Sequence, residues 1–121
     1  MYDHITIRVK DCARSREFYE GALTPLGYKL TDSGGPSAGF GTGGKTLLWI
    51  EEGTPVSAGL HLAFASPSHK AVQSFHAAAL KHGGRDNGGP GLRESYSPTY
   101  YAAFAHDPDG NNIEAVCHGE K

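Results

Sequence analysis

Residues 3–29, DHITIRVKDCARSREFYEGALTPLGYK, and residues 60–86, LHLAFASPSHKAVQSFHAAALKHGGRD, are two copies of one pattern. At a constant offset of 57 (61 − 4 = 57), His4 falls on His61, Phe18 on Phe75, Ala22 on Ala79, Leu23 on Leu80 and Gly27 on Gly84, without a gap. Each copy reads as strand, polar break, amphipathic helix, glycine and second strand. In the first, Ile5, Ile7 and Val9 alternate with His4, Thr6 and Arg8, the period of a half-buried strand. Asp11 is placed to cap a helix whose apolar face is Phe18, Ala22 and Leu26 with Tyr19 and Leu23 beside them, and Pro25 is placed to end it. In the second, Leu62 and Phe64 alternate with His61, Ala63 and Ala65. Ser66-Pro67-Ser68 then offers a cap and a first-turn proline for a helix with the stripe Val72, Phe75, Ala79 and Leu80.

Outward from the repeat, segments 28–31, 38–42 and 45–51 read as strands separated by glycine turns, and 100–105 and 113–118 as the last two strands. Asp107-Pro108-Asp109-Gly110 fits a type I turn. Each half is therefore βαβββ. The expected fold is α+β, a single domain over residues 1–121 made of module 1 (3–52) and module 2 (60–118), forming a curved mixed sheet around a cup-shaped site. Residues 87–98 are the long irregular stretch, and such stretches in compact domains are commonly lids or binding loops.

A chain of 121 residues is the size of one domain and needs no disulfide staples. Its two cysteines, Cys12 and Cys117, read as reduced thiols of a cytoplasmic protein. Eleven Lys+Arg against thirteen Asp+Glu leave a net charge of −2 with no basic stripe, which disfavours nucleic acid and anionic membrane as partners. No signal peptide or bilayer-spanning run is evident.

The helices must cover the Ile5/Ile7/Val9 and Leu62/Phe64 faces. By alternation His4, His61 and Glu114 then lie on the uncovered face of the sheet. Two imidazoles and one carboxylate there form a 2-His-1-carboxylate set, which binds a divalent metal and leaves positions open for substrate. The pairing suits Fe²⁺ or Mn²⁺ best, with Zn²⁺ or Ni²⁺ as further options.

The chain resembles the vicinal oxygen chelate superfamily, which includes glyoxalase I, the bleomycin and fosfomycin resistance proteins and extradiol dioxygenases. The resemblance rests on DHITIRV followed by SREFYEGAL, on GLHLAF, and on DPDGNNIEAV, and covers essentially the whole chain. It implies paired modules cupping a metal, with His4, His61 and Glu114 as ligands. It further implies a homodimer, with modules paired within one chain or exchanged between two. Glyoxalase I enzymes add a carboxylate from the last strand of module 1, where this chain has Trp49. That departure is similar to the three-ligand plan of the fosfomycin resistance and extradiol enzymes.

Glu51 shares that strand face but is displaced by about 6–7 Å, so it is a candidate base rather than a ligand. Trp49 is a candidate stacking wall for a planar substrate, and Arg93, whose guanidinium can fork onto an anion, a candidate clamp. Tyr96, Tyr100 and Tyr101 are further candidates to line the site. The expected function is that of a metal-dependent enzyme of dioxygenase, lyase/isomerase or thiol-transferase type, in which Glu114 and Glu51 are catalytic. Its substrate would be a small molecule chelated through adjacent oxygens. The alternative is a metal-free small-molecule or antibiotic binding protein.

Overall fold

In the computed structural model, which describes residues 1–119, module 1 is β1 (Ile5–Val9), α1 (Cys12–Leu23), β2 (Lys29–Gly34), β3 (Ser37–Thr42) and β4 (Lys45–Glu52). Asp11 caps α1, its carboxylate accepting the Arg14 N–H at 3.2 Å. Pro25 does not stop the chain abruptly. Thr24–Leu26 make one turn of 3₁₀ helix, and Gly27 reverses direction at φ 95°, a conformation that a Cβ would oppose.

Module 2 is β5 (His61–Ala65), α2 (His69–Lys81), β6 (Arg85–Asp86), β7 (Gly91–Leu92), β8 (Tyr101–His106) and β9 (Asn112–Cys117). Ser68 is the cap of α2, accepting the Ala71 N–H at 3.0 Å, so Pro67 precedes the cap instead of occupying the first turn. Val72, Phe75 and Ala79 are buried, but Leu80 is 39% exposed. It follows Ala79 by one residue, about 100° around the helix, which takes it off the stripe.

The strands form two separate mixed sheets, β1-β4-β3-β2 and β5-β9-β8-β6, with β7 beside β8. In each module the first strand lies parallel to the last, as a helical crossover requires. Its other edge has no strand partner among the described residues. The helices pack on their own sheets and on each other. Ile7, Phe18, Ile50, Phe75 and Ile113 share one apolar core drawn from the helix-facing sides of both modules. The covered faces therefore turn toward one another, and the outer faces look away.

Cross-module contacts fix this arrangement. The Tyr19 hydroxyl of α1 donates to Asp107 Oδ2 at 2.5 Å, in the turn before β9, and Tyr28 donates to the Ala65 carbonyl at 3.3 Å. A Cβ at Gly84 would stand 2.5 Å from the Phe18 ring and 2.8 Å from the Ala79 carbonyl. The repeated glycines thus serve different ends: Gly27 for its backbone angle, Gly84 for close approach. Gly83, at φ 98°, takes the left-handed position in the second copy. The Asp107–Gly110 turn closes with the expected hydrogen bond, Gly110 N–H to the Asp107 carbonyl at 2.9 Å. Cys12 and Cys117 are free and buried. Among the described residues no helix is long and apolar enough to cross a membrane.

Candidate functional site

On the outer face of module 2, His61 opens β5 and Glu114 stands on the neighbouring strand β9. Ile113, Ala115 and Cys117 point into the core, so alternation sends Glu114 outward. Its side chain is nonetheless only 1% exposed. Residues 87–100 fold back over this face, where Ala102, Phe104 and Val116 form a second apolar cluster packed against Tyr100. Phe104 belongs to this outer cluster, whereas Phe18 and Phe75 lie in the main core.

Buried polar atoms need partners, and Glu114 has one for each oxygen. His61 Nε2 donates to Oε1 at 2.7 Å, and the Tyr100 hydroxyl donates to Oε2. Burial, reinforced by Glu114, pushes the Tyr100 phenol up to about 12, so it stays a donor at neutral pH. Tyr96 and His118 meet the Tyr100 ring edge-on at centroid separations of 5.0 and 5.2 Å. The parity of β8 carries the signal for Tyr100: two residues before Ala102, it shares the face of Phe104, and Phe104 pairs with Glu114.

The other candidates divide between the faces. His4 immediately precedes β1, exposed, with Nδ1 donating to Asp3 at 2.6 Å. That bond, with help from Lys45, lowers the Asp3 carboxyl to about 2. Among the described residues no three His, Cys, Asp or Glu side chains gather into a metal-sized cluster. One chain brings His61 to Glu114 and leaves His4 on the other module.

Trp49 and Glu51 lie on the outer face of module 1 with His4, since Leu48 and Ile50 take the inner one. Tyr96 is 65% exposed at the tip of the loop. Tyr101 lies on the helix-facing side instead, stacked on His69 at 3.9 Å and bonded to Gln73. The Arg93 guanidinium donates to the carbonyls of Gly91 and Gly89 at 2.9 and 2.7 Å, and lies 5.3 Å from the Phe104 ring centroid. Its fork is committed to the loop, which makes it a strut holding the cover over Glu114.

A family model described as "Glyoxalase/Bleomycin resistance protein/Dioxygenase superfamily" matches residues 2–115. A glyoxalase/bleomycin resistance protein from Albidiferax ferrireducens T118 is 30% identical, with TM-score 0.85 over 97% of this chain and 98% of that one. A glyoxalase-related enzyme from Fulvimarina pelagi, 17% identical, shares the fold with TM-score 0.73 over 97% and 87% of the two chains. A V278E mutant of maize glyoxalase I is 27% identical, with TM-score 0.70 over 95% of this chain and 45% of the maize chain. No curated protein matches. With its two modules and its match from residue 2 to residue 115, the chain belongs to the glyoxalase/bleomycin resistance protein/dioxygenase superfamily.

Proposed function

We propose that the protein is a metal-dependent enzyme of the vicinal oxygen chelate type, acting as a homodimer on a small molecule. His61 and Glu114 of one chain and His4 of a second copy would hold the ion, with Fe²⁺ or Mn²⁺ preferred over Zn²⁺ or Ni²⁺ for two imidazoles and a carboxylate. The observation that carries the reading is Glu114, a buried carboxyl placed on an outer sheet face and touching His61. A divalent ion there supplies Lewis acidity toward two adjacent substrate oxygens.

The chain's own groups set the rest. Tyr100 occupies one Glu114 oxygen and leaves the other on the side of His61. Trp49 offers a stacking wall and Glu51 a base, while Tyr96 stands at the rim. The reaction is of dioxygenase, lyase/isomerase or thiol-transferase type.

The edges of β1 and β5, unpaired among the described residues, and Ile5, 37% exposed beside one of them, support docking of a second copy. Two free buried thiols support a cytoplasmic setting.

A second reading, a metal-free binding protein, is favoured by one feature: His61 and Glu114 satisfy each other directly at 2.7 Å. Metal stoichiometry by mass spectrometry separates the two. The expected result is one divalent ion per chain in the wild type and most of it lost in His61→Ala, because two remaining ligands hold an ion poorly against water and buffer. Trp49→Glu should shift metal preference by adding a fourth donor. Equal retention in wild type and His61→Ala would refute this ligand set, and no metal in either after reloading would favour the metal-free binder.

A further inference from the structure

We propose that the outer face of module 1 binds a planar anion, an aromatic or conjugated carboxylate, with Trp49 as its stacking floor and Arg8 as its clamp. The inference deepens the functional reading above and rests on it only for which end of the ligand carries the chelated oxygens.

Strand register lays the face out. Thr6 pairs with Trp49 and Arg8 with Glu51 across β1 and β4, and Gly39 pairs with Trp49 from β3. A Cβ at Gly39 would lie 3.0 Å from Trp49 Cζ3 and 2.8 Å from Thr46 Cγ2. The missing side chain therefore lets the indole settle across β3, while Trp49 stays partly exposed. A large ring seated on a glycine presents a surface suited to stacking against another ring.

The cation is at one end of this surface. Arg8 lines an open hollow with Thr6, Glu51 and the segment 55–57. Among the described residues its guanidinium makes one loose ion pair, Nε to Glu51 at 3.8 Å, beyond hydrogen-bond distance. Since Nε is the atom nearest Glu51, the terminal nitrogens are left to fork onto a carboxylate. Arg93, by contrast, spends its terminal nitrogens on loop carbonyls. His4 and Arg8 are four residues apart along the same strand face, about 13 Å, with Trp49 alongside the middle. A rigid conjugated molecule with oxygens at one end and a carboxylate at the other fits that spacing. A small aldehyde or a neutral aliphatic compound would leave Arg8 unanswered.

Trp49 is the chain's one tryptophan, so its fluorescence reports on this face alone. The full-length protein, as isolated and after chelator treatment, is titrated with trans-cinnamate, with cinnamamide as the neutral planar analogue and with 3-cyclohexylpropanoate as the saturated anion. Saturable quenching by cinnamate is expected in both preparations, with the two analogues and Arg8→Ala each weaker by about tenfold or more. Arg8→Lys, which keeps the charge and loses the fork, should fall between, and Glu51→Gln should bind cinnamate at least as tightly as wild type. Circular dichroism and metal content should match wild type in the Arg8 variants. Equal binding of cinnamate and cinnamamide, wild-type affinity in Arg8→Ala, or no saturable quenching in the folded protein would each overturn the proposal. None of these results would disturb the metal stoichiometry on which the functional reading depends.

Discussion

Tyr19 shows how one side chain joins the halves of the repeat. It is fully buried on α1 of module 1, yet its hydroxyl reaches Asp107 of module 2. Burial, and then Asp107, raises its phenol pKa well above the ordinary 10.0. The sign of the linkage follows. The unfolded chain releases this proton near pH 10 while the fold retains it, so the contribution is whole below about pH 10 and is lost as pH rises beyond it. Tyr19→Phe removes the donor and leaves Asp107 Oδ2 with Asn111 Nδ2 at 3.2 Å. Urea denaturation at neutral pH should show a loss of about 1–3 kcal/mol. The alkaline fall in stability should also be shallower in the variant, though still present, because Tyr28 and Tyr100 are raised as well. An unchanged alkaline slope would show that Tyr19 does not carry it.

At the scale of elements, period-2 and helical alternation made the longer strands, both helices and the outward faces of His4, His61 and Glu114 legible in the sequence, but not β7, which lies in the stretch read as irregular. Alternation reports which face is covered. It cannot report what covers it. That is why Glu114 reads as an open-face residue in the sequence and is buried in the fold: the cover is its own loop, residues 87–100, which has no periodicity to read. Arg93 likewise reads as a free cation until its partners are known, because they are backbone carbonyls that no sequence pattern marks. Its role as a strut predicts a local effect. Arg93→Ala should speed hydrogen exchange of the amides of Asn87, Arg93 and Tyr100, all bonded within the loop or to β8. The amides of β1, β3 and β4 should be unaffected. Unchanged protection in the loop would mean that Tyr96 and Tyr100 hold the cover without the guanidinium.

For the whole molecule, the decisive arrangement is the pairing of modules, and the repeat by itself left two pairings open. Modules packed edge to edge within one chain would bring His4 beside His61. Here the helices and their covered faces pack together instead, so the outer faces of the two modules look apart and, among the described residues, the edges of β1 and β5 stay open. The proposed site with three protein ligands would then draw on a second chain, and a twofold dimer would supply two such sites by symmetry. Sedimentation at micromolar concentration should give a dimer, but complementation tests the arrangement more sharply. His4→Ala and His61→Ala homodimers should each lose most of their metal. A mixed dimer carries one site with both histidines, Glu114 and His61 coming from the His4→Ala chain and His4 from the other, and one site with neither. Random assembly of equal amounts makes half the dimers mixed, so co-refolding should restore about one quarter of wild-type metal. The same fraction should return after any reassortment of subunits. No recovery, with mixed dimers confirmed by native mass spectrometry, would place His4 outside the metal site and leave the His61–Glu114 pair to act within a single chain.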